Sequence, residues 1–260
     1  MPTAFLMYHE LERPGRTVSD LDPGYIRYVV HEATFSRQLA WLAEQGLRGV
    51  TVGDARAAGL DVPSQVVLTF DDGAETDWVV AAPLLAERGF GATFYVVSRW
   101  IDRRHGFMSL RQLRDLAHAG FEVGSHSATH ALLTQLDESA MRLEIADSKR
   151  ELEDMLGAPV RHFSCPGGRW SQRIAHVARE AGYETVATSR VGLNDSASDP
   201  YALMRCAVRR LDTARTFEAF CRGTRIGPLQ ARERVLTAAK TVLGHRLYAA
   251  LRGMALTHTE

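Results

Sequence analysis

Three cysteines, Cys165, Cys206 and Cys221, are all the chain has, an odd number without the paired spacing of a zinc knuckle. That excludes a disulfide scaffold and points to a reducing compartment. Excess charge of either sign is equally lacking. Lys and Arg total 31 against 31 Asp and Glu, so nothing in the overall charge argues for a nucleic-acid partner. No apolar run approaches the roughly 20 residues of a membrane-spanning helix, and the short run at 4–8 has no basic residue before it. A cytoplasmic protein without a signal peptide is the expectation. Repeats and low-complexity tracts are also missing. The 260 residues suffice for one core, and we expect a single domain over 1–225 with a helical tail over 226–260.

What the chain does contain is alternation. Residues 4–8 read as a strand closing on His9-Glu10, followed by a loop marked by Pro14-Gly15 and Pro23-Gly24. Phe35, Leu39 and Leu42 recur at helical spacing over 34–45, with Gly46 as C-cap, and 47–52 looks extended. Val66, Val67, Leu68 and Phe70 form a buried strand, after which Pro83 implies a short or kinked helix before the strand 92–97. Ser109 with Gln112 makes a capping box for a helix that stops at Gly120, ahead of the strand 121–125. A long amphipathic helix over 137–156 follows, then a strand end at 162–166, a helix carrying Ile174, Val177 and Ala178, and the strand 183–188. The last strand-like piece, 202–208, contains Arg205 and precedes a helix over 213–222. Strands and helices in this rhythm imply a mainly parallel sheet with helices outside, open or closed into a barrel. The segment 232–256 mixes apolar and basic residues, as a docked terminal helix or an interfacial membrane helix does.

Two stretches carry chemistry. The strand ending in Thr69-Phe70-Asp71-Asp72-Gly73 stops at two adjacent carboxylates. Successive side chains on a strand point to opposite faces, so both acids share one pocket only if the chain bends there, which Gly73 permits. His126-Ser127-Ala128-Thr129-His130 follows another strand, and on a helical turn its two imidazoles would face one side. Two histidines and one carboxylate supply the three protein ligands of a hydrolytic metal site, leaving a position open for water.

These two motifs, at this separation, resemble the first two motifs of the polysaccharide deacetylase family, carbohydrate esterase family four, and the likeness runs over most of residues 4–210. The resemblance implies an α/β fold, a distorted (β/α) barrel of about seven strands with its site at the C-terminal strand ends. It implies a metal-dependent deacetylase with Asp71 as general base and Asp72, His126 and His130 as ligands to one divalent ion, zinc first, with nickel, cobalt or iron as alternatives. The expected substrate is an N-acetylated amino sugar in a glycan or glycan precursor, with no nucleic acid involved and a peripheral membrane contact through the C-terminal helix as an option.

The chain departs from the family pattern twice. The Leu-x-Leu-x-His-like motif that commonly supplies the acid near the C-terminus is missing, but Leu6-Met7-Tyr8-His9 resembles the arrangement in circularly permuted members, which makes His9 the candidate acid. Phe163-Ser164-Cys165-Pro166-Gly167-Gly168 stands in place of the third motif, with Ser164 where an arginine usually holds the base, and Arg205 is the candidate replacement. Cys165, Pro166, Gly167 and Trp170 are candidates for substrate or oxyanion contacts. Cys165 reads better as packing than as a nucleophile. Trp100, His105 and Asn194 are expected in loops at the open end. Two other readings use the same sequence: hydrolysis of a small amide or cyclic imide, and a glycan-binding protein without activity.

Overall fold

The computed structural model describes residues 1–224, 226–228 and 230–231. The chain enters through β1 (Thr3–Tyr8), and then runs β2 (Leu11–Glu12), α1 (Pro23–Ile26), β3 (Val30–His31), α2 (Glu32–Glu44) and β4 (Arg48–Val50). It continues through α3 (Val52–Ala58), β5 (Gln65–Asp72), a widened helical turn at Asp77–Ala81 leading into α4 (Ala82–Ala86), β6 (Thr93–Val96), α5 (Leu110–His118) and β7 (Glu122–Ser125). Next come α6 (Glu138–Leu156), β8 (His162–Ser164), α7 (Gln172–Glu180), β9 (Thr185–Ala187), β10 (Leu193–Asn194), β11 (Cys206–Ala207) and α8 (Ala214–Cys221).

The sheet follows the order β10-β1-β5-β6-β7-β8-β9, and every neighbour from β1 to β9 is parallel. It curls into a half-barrel whose open side is crossed by 203–207. Leu203 bridges to Ala187 at one edge, while β11 pairs with Leu6 and Met7 at the other. The distorted α/β barrel of about seven strands is therefore what these elements build.

Side-chain alternation divides two cores. Val66, Leu68 and Phe70 of β5 face the helices, where Phe70 stacks between Tyr8 and Phe94 at centroid distances of 5.2 and 4.7 Å. Val67 instead joins Phe5, Tyr95, Ala187 and Leu203 inside the curl. Thr69 and Asp71 are in phase with Val67, so the period of the strand aims Asp71 into the barrel.

Several expected elements take a different form. Only Arg48–Val50 of 47–52 is strand, because Thr51 caps α3 by accepting the Asp54 N–H at 2.9 Å, a bond worth about 1 kcal/mol. Of 202–208, only Cys206–Ala207 forms a ladder. The capping box at Ser109 and Gln112 and the Asp137 cap of α6 are both present. Among the described residues no helix is long and apolar enough to cross a membrane. The expected tail lies, from residue 232 on, outside the described residues.

Candidate metal and catalytic centre

The C-terminal ends of β1, β5, β7 and β8 deliver His9, Asp71, Asp72, His126 and Ser164 to the same end of the barrel. Asp71 is 2% exposed and Arg205 0%. The guanidinium donates to the two carboxylate oxygens from Nη1 at 2.7 Å and Nη2 at 2.8 Å. Ser164 Oγ donates to the same carboxylate at 3.2 Å and accepts from Arg205 Nη2 at 2.8 Å. Arg205 is itself held by the Thr188 carbonyl and the Thr69 hydroxyl. Burial pulls the Asp71 carboxyl up, but the charge of Arg205 and the hydrogen bonds it donates outweigh it and hold the group well below the usual carboxylate range.

Asp72 would point outward if β5 continued regularly. Instead its own φ of 82°, followed by 82° at Gly73, turns its side chain back to the barrel mouth. The bend thus begins one residue before the glycine. His126 and His130 are not on a helical turn either. They sit in an irregular loop in which Ser127 and His130 both have φ of 66°, conformations that cost on the order of 1–3 kcal/mol each for non-glycine residues. The loop is tied down by Glu144 on α6, which accepts from the N–H groups of Ala128 and Thr129 and from the Thr129 hydroxyl.

Asp72 Oδ1 lies 3.4 Å from Nε2 of His126 and 3.4 Å from Nε2 of His130, and one ligand atom from each residue falls within 4.8 Å of the others. Burial raises the Asp72 carboxyl to about 6 and lowers His126 to about 3, with His130 moved the same way. With His126 neutral these contacts are not ion pairs. The buried Oδ1 has no hydrogen-bond donor. Two neutral imidazole nitrogens and an orphaned carboxylate oxygen, converging at the C-terminal strand ends, fit a divalent cation. His126 Nδ1 bonds the Ser164 carbonyl at 2.9 Å, which leaves Nε2 for such an ion.

His9 is half-buried at the end of β1 and stacks on Tyr28 at 4.9 Å, with its buried Nδ1 unpartnered by protein. It follows β1 directly, and β1 pairs in parallel with β5, so His9 and Asp71 lie at the same end of neighbouring strands. Of the oxyanion candidates, the Cys165 N–H donates to the Ala187 carbonyl at 3.0 Å, and Pro166 has no N–H, so neither can serve as a donor. The Gly167 N–H makes no loop or turn hydrogen bond to the backbone among the described residues. The Cys165 thiol is buried and pushed up to about 12, consistent with packing. Trp170 is half-buried, its indole N–H donating to the Tyr201 carbonyl. Asn194 is not at the open end: β10 runs antiparallel to β1 and pairs it with Thr3, and its amide is spent on the Met204 backbone. His105 lines an open cavity of about 520 Å³ with Glu75, Arg104 and Gln112, apart from the metal-ligand group.

Sequence reasoning missed Glu144 and Tyr28. Glu144 is one acid among many on an amphipathic helix, and nothing local distinguishes it. Tyr28 follows a turn-rich loop and carries no motif.

The family profile of polysaccharide deacetylases matches residues 61–186. YxkH of Bacillus subtilis, a candidate polysaccharide deacetylase, is 28% identical over 183 residues, 69% of this chain and 65% of that protein. The peptidoglycan-N-acetylglucosamine deacetylase of Bacillus cereus is 27% identical over 122 residues, 46% of this chain and 54% of its own length. The chain thus matches between half and two thirds of these relatives. The Streptococcus pyogenes deacetylase PplD, solved with acetate, shares the fold with a TM-score of 0.75 at 21% identity, over 85% of this chain and 98% of that one.

Proposed function

Because this chain belongs to the polysaccharide deacetylase family, we propose that it is a metal-dependent N-deacetylase acting on an N-acetylated amino sugar in a glycan or glycan precursor. The observation that carries this reading is the juxtaposition of the Arg205-bound Asp71 with the orphaned Asp72 Oδ1 and two histidines. Asp72, His126 and His130 would hold a divalent ion, which when bound lowers the pKa of water toward ~7 and polarises an amide carbonyl. Asp71 takes the proton of the attacking water. Arg205 keeps that carboxylate ionised and fixed in plane by two-point contact.

As water oxygen bonds to the acetyl carbon, negative charge grows on the carbonyl oxygen, for which the Gly167 N–H is the candidate donor. His9 then gives its proton to the departing nitrogen as the C–N bond breaks, yielding acetate and a free amine. Tyr28 holds the His9 ring from one face. The test is metal analysis coupled to acetate release from N-acetylated oligosaccharides, sugar precursors and cyclic imides. Acetate from the sugars, lost on chelation and restored by metal, is expected. Turnover of imides alone, or metal-free protein with no change in activity, would overturn the reading.

A further inference from the structure

The two histidines of the centre are held by different means. His126 is fixed by its Nδ1 contact with the Ser164 carbonyl, the usual way in which the second ring nitrogen orients a ligating imidazole. Among the described residues His130 has no hydrogen-bond partner for its Nδ1, its side chain is 31% exposed, and its backbone is left-handed. A ring in that position would swing unless something packs it. The Trp100 ring lies against it at 5.3 Å between centroids and 40° between planes.

Trp100 is in turn braced. Arg104 places its guanidinium 4.0 Å from the indole centroid, and Phe107 meets the ring edge-on at 4.5 Å. Arg104 is anchored by Asp20 at 3.3 Å. The loop before Trp100 is also stitched to the histidine loop, with the Ser98 and Arg99 N–H groups donating to the carbonyls of Ser127 and Ala128. We propose that Trp100, braced by Arg104, is the positioning residue for His130, doing by ring-against-ring packing what a hydrogen bond does for His126. The inference rests on the reading of Asp72, His126 and His130 as metal ligands.

Arg104 sharpens the inference, since its positive charge faces Asp72 and His130. By Coulomb's law alone, removing it would favour a cation at the site. If Arg104 acts through the Trp100 platform, removing it weakens the site instead.

The experiment titrates metal-stripped full-length protein with Zn2+ and Co2+, reading affinity by competition with a chelator and coordination by the visible Co2+ spectrum. Trp100→Leu should lower affinity by about 10–100-fold and change the Co2+ band, as loss of an outer-shell contact does, while Trp100→Phe keeps most of the affinity. Arg104→Gln should weaken binding as well. Wild-type affinity in Trp100→Leu, with or without a raised KM for substrate, would overturn the proposal, and so would tighter binding in Arg104→Gln. Should Trp100→Leu fail to fold, Trp100→Phe and Arg104→Gln decide. A wild-type protein that binds neither metal refutes the metal-site reading itself, a separate result.

Discussion

Arg205 and Asp71, 134 positions apart in the chain, form a two-point ion pair in which both side chains are almost wholly buried. The pair closes the barrel chemically at the place where 203–207 crosses its open side. Removing the cation leaves an uncompensated buried carboxylate, a change that typically costs about 3–5 kcal/mol. Arg205→Ala should therefore lose about that much stability by urea unfolding, whereas Asp71→Asn, which keeps the shape and removes the charge, should lose less. Equal destabilisation by Arg205→Ala and by a surface arginine change would contradict the assignment.

The division of labour between neighbouring acids gives a sharper pair of variants. Asp72→Ala and His126→Ala should each release metal from purified protein, measured by elemental analysis. Asp71→Asn should retain the metal and lose hydrolysis, since Asp71 is the group that receives the water proton. Retained activity in Asp71→Asn would remove the base from the scheme.

For His9, replacement by Ala should lower the rate by about two to four orders of magnitude if it delivers the proton to the leaving amine. Tyr28→Ala should fall between wild type and His9→Ala, because it loses only the ring that orients the imidazole. A near-normal rate in His9→Ala, assayed on the same N-acetylated sugar, would make the residue a strand-end cap.

How far the sequence reaches can be judged from these same residues. The run to Asp71 and the alternation of strands and helices are written in local patterns, so a mainly parallel sheet and the end that carries the site follow directly, while its closure toward a barrel follows from the family resemblance and not from periodicity. The capping signals at Ser109, Gln112 and Asp137 are equally local. Thr51 is not so plain, because β-branched neighbours and Gly53 hide a helix start inside an extended-looking segment. The spacing of His126 and His130 suggests a helical turn. The convergence actually comes from left-handed Ser127 and His130 and from Glu144, which is contributed by the next helix. Asn194 reads as a loop residue, yet its place is set by an antiparallel pairing with Thr3 that no local signal encodes. Contacts across the barrel are invisible to periodicity, and Glu144 and Tyr28 go unnoticed for that reason.

The N-terminal end of the strands offers a pH-dependent prediction free of the metal ligands. Glu122 receives hydrogen bonds from the Thr93 hydroxyl and the Gly53 N–H, and it lies 3.2 Å from His162, whose other nitrogen contacts Thr185. Burial pushes the Glu122 carboxyl up, but His162 and these hydrogen bonds more than offset it, so the folded protein holds it below its ordinary value. The unfolded chain binds a proton at roughly 4.3, before the folded one does. Stability from this group is thus fully present above that pH and is lost as pH falls through the lower folded value. Glu122→Gln keeps the acceptor oxygen and removes the charge. Its urea midpoint should lie below wild type at pH 7, and the gap should shrink as the pH is taken down through the carboxylate range. A gap that is the same at pH 7 and pH 3 would show that the carboxylate charge at this position does not contribute to the fold.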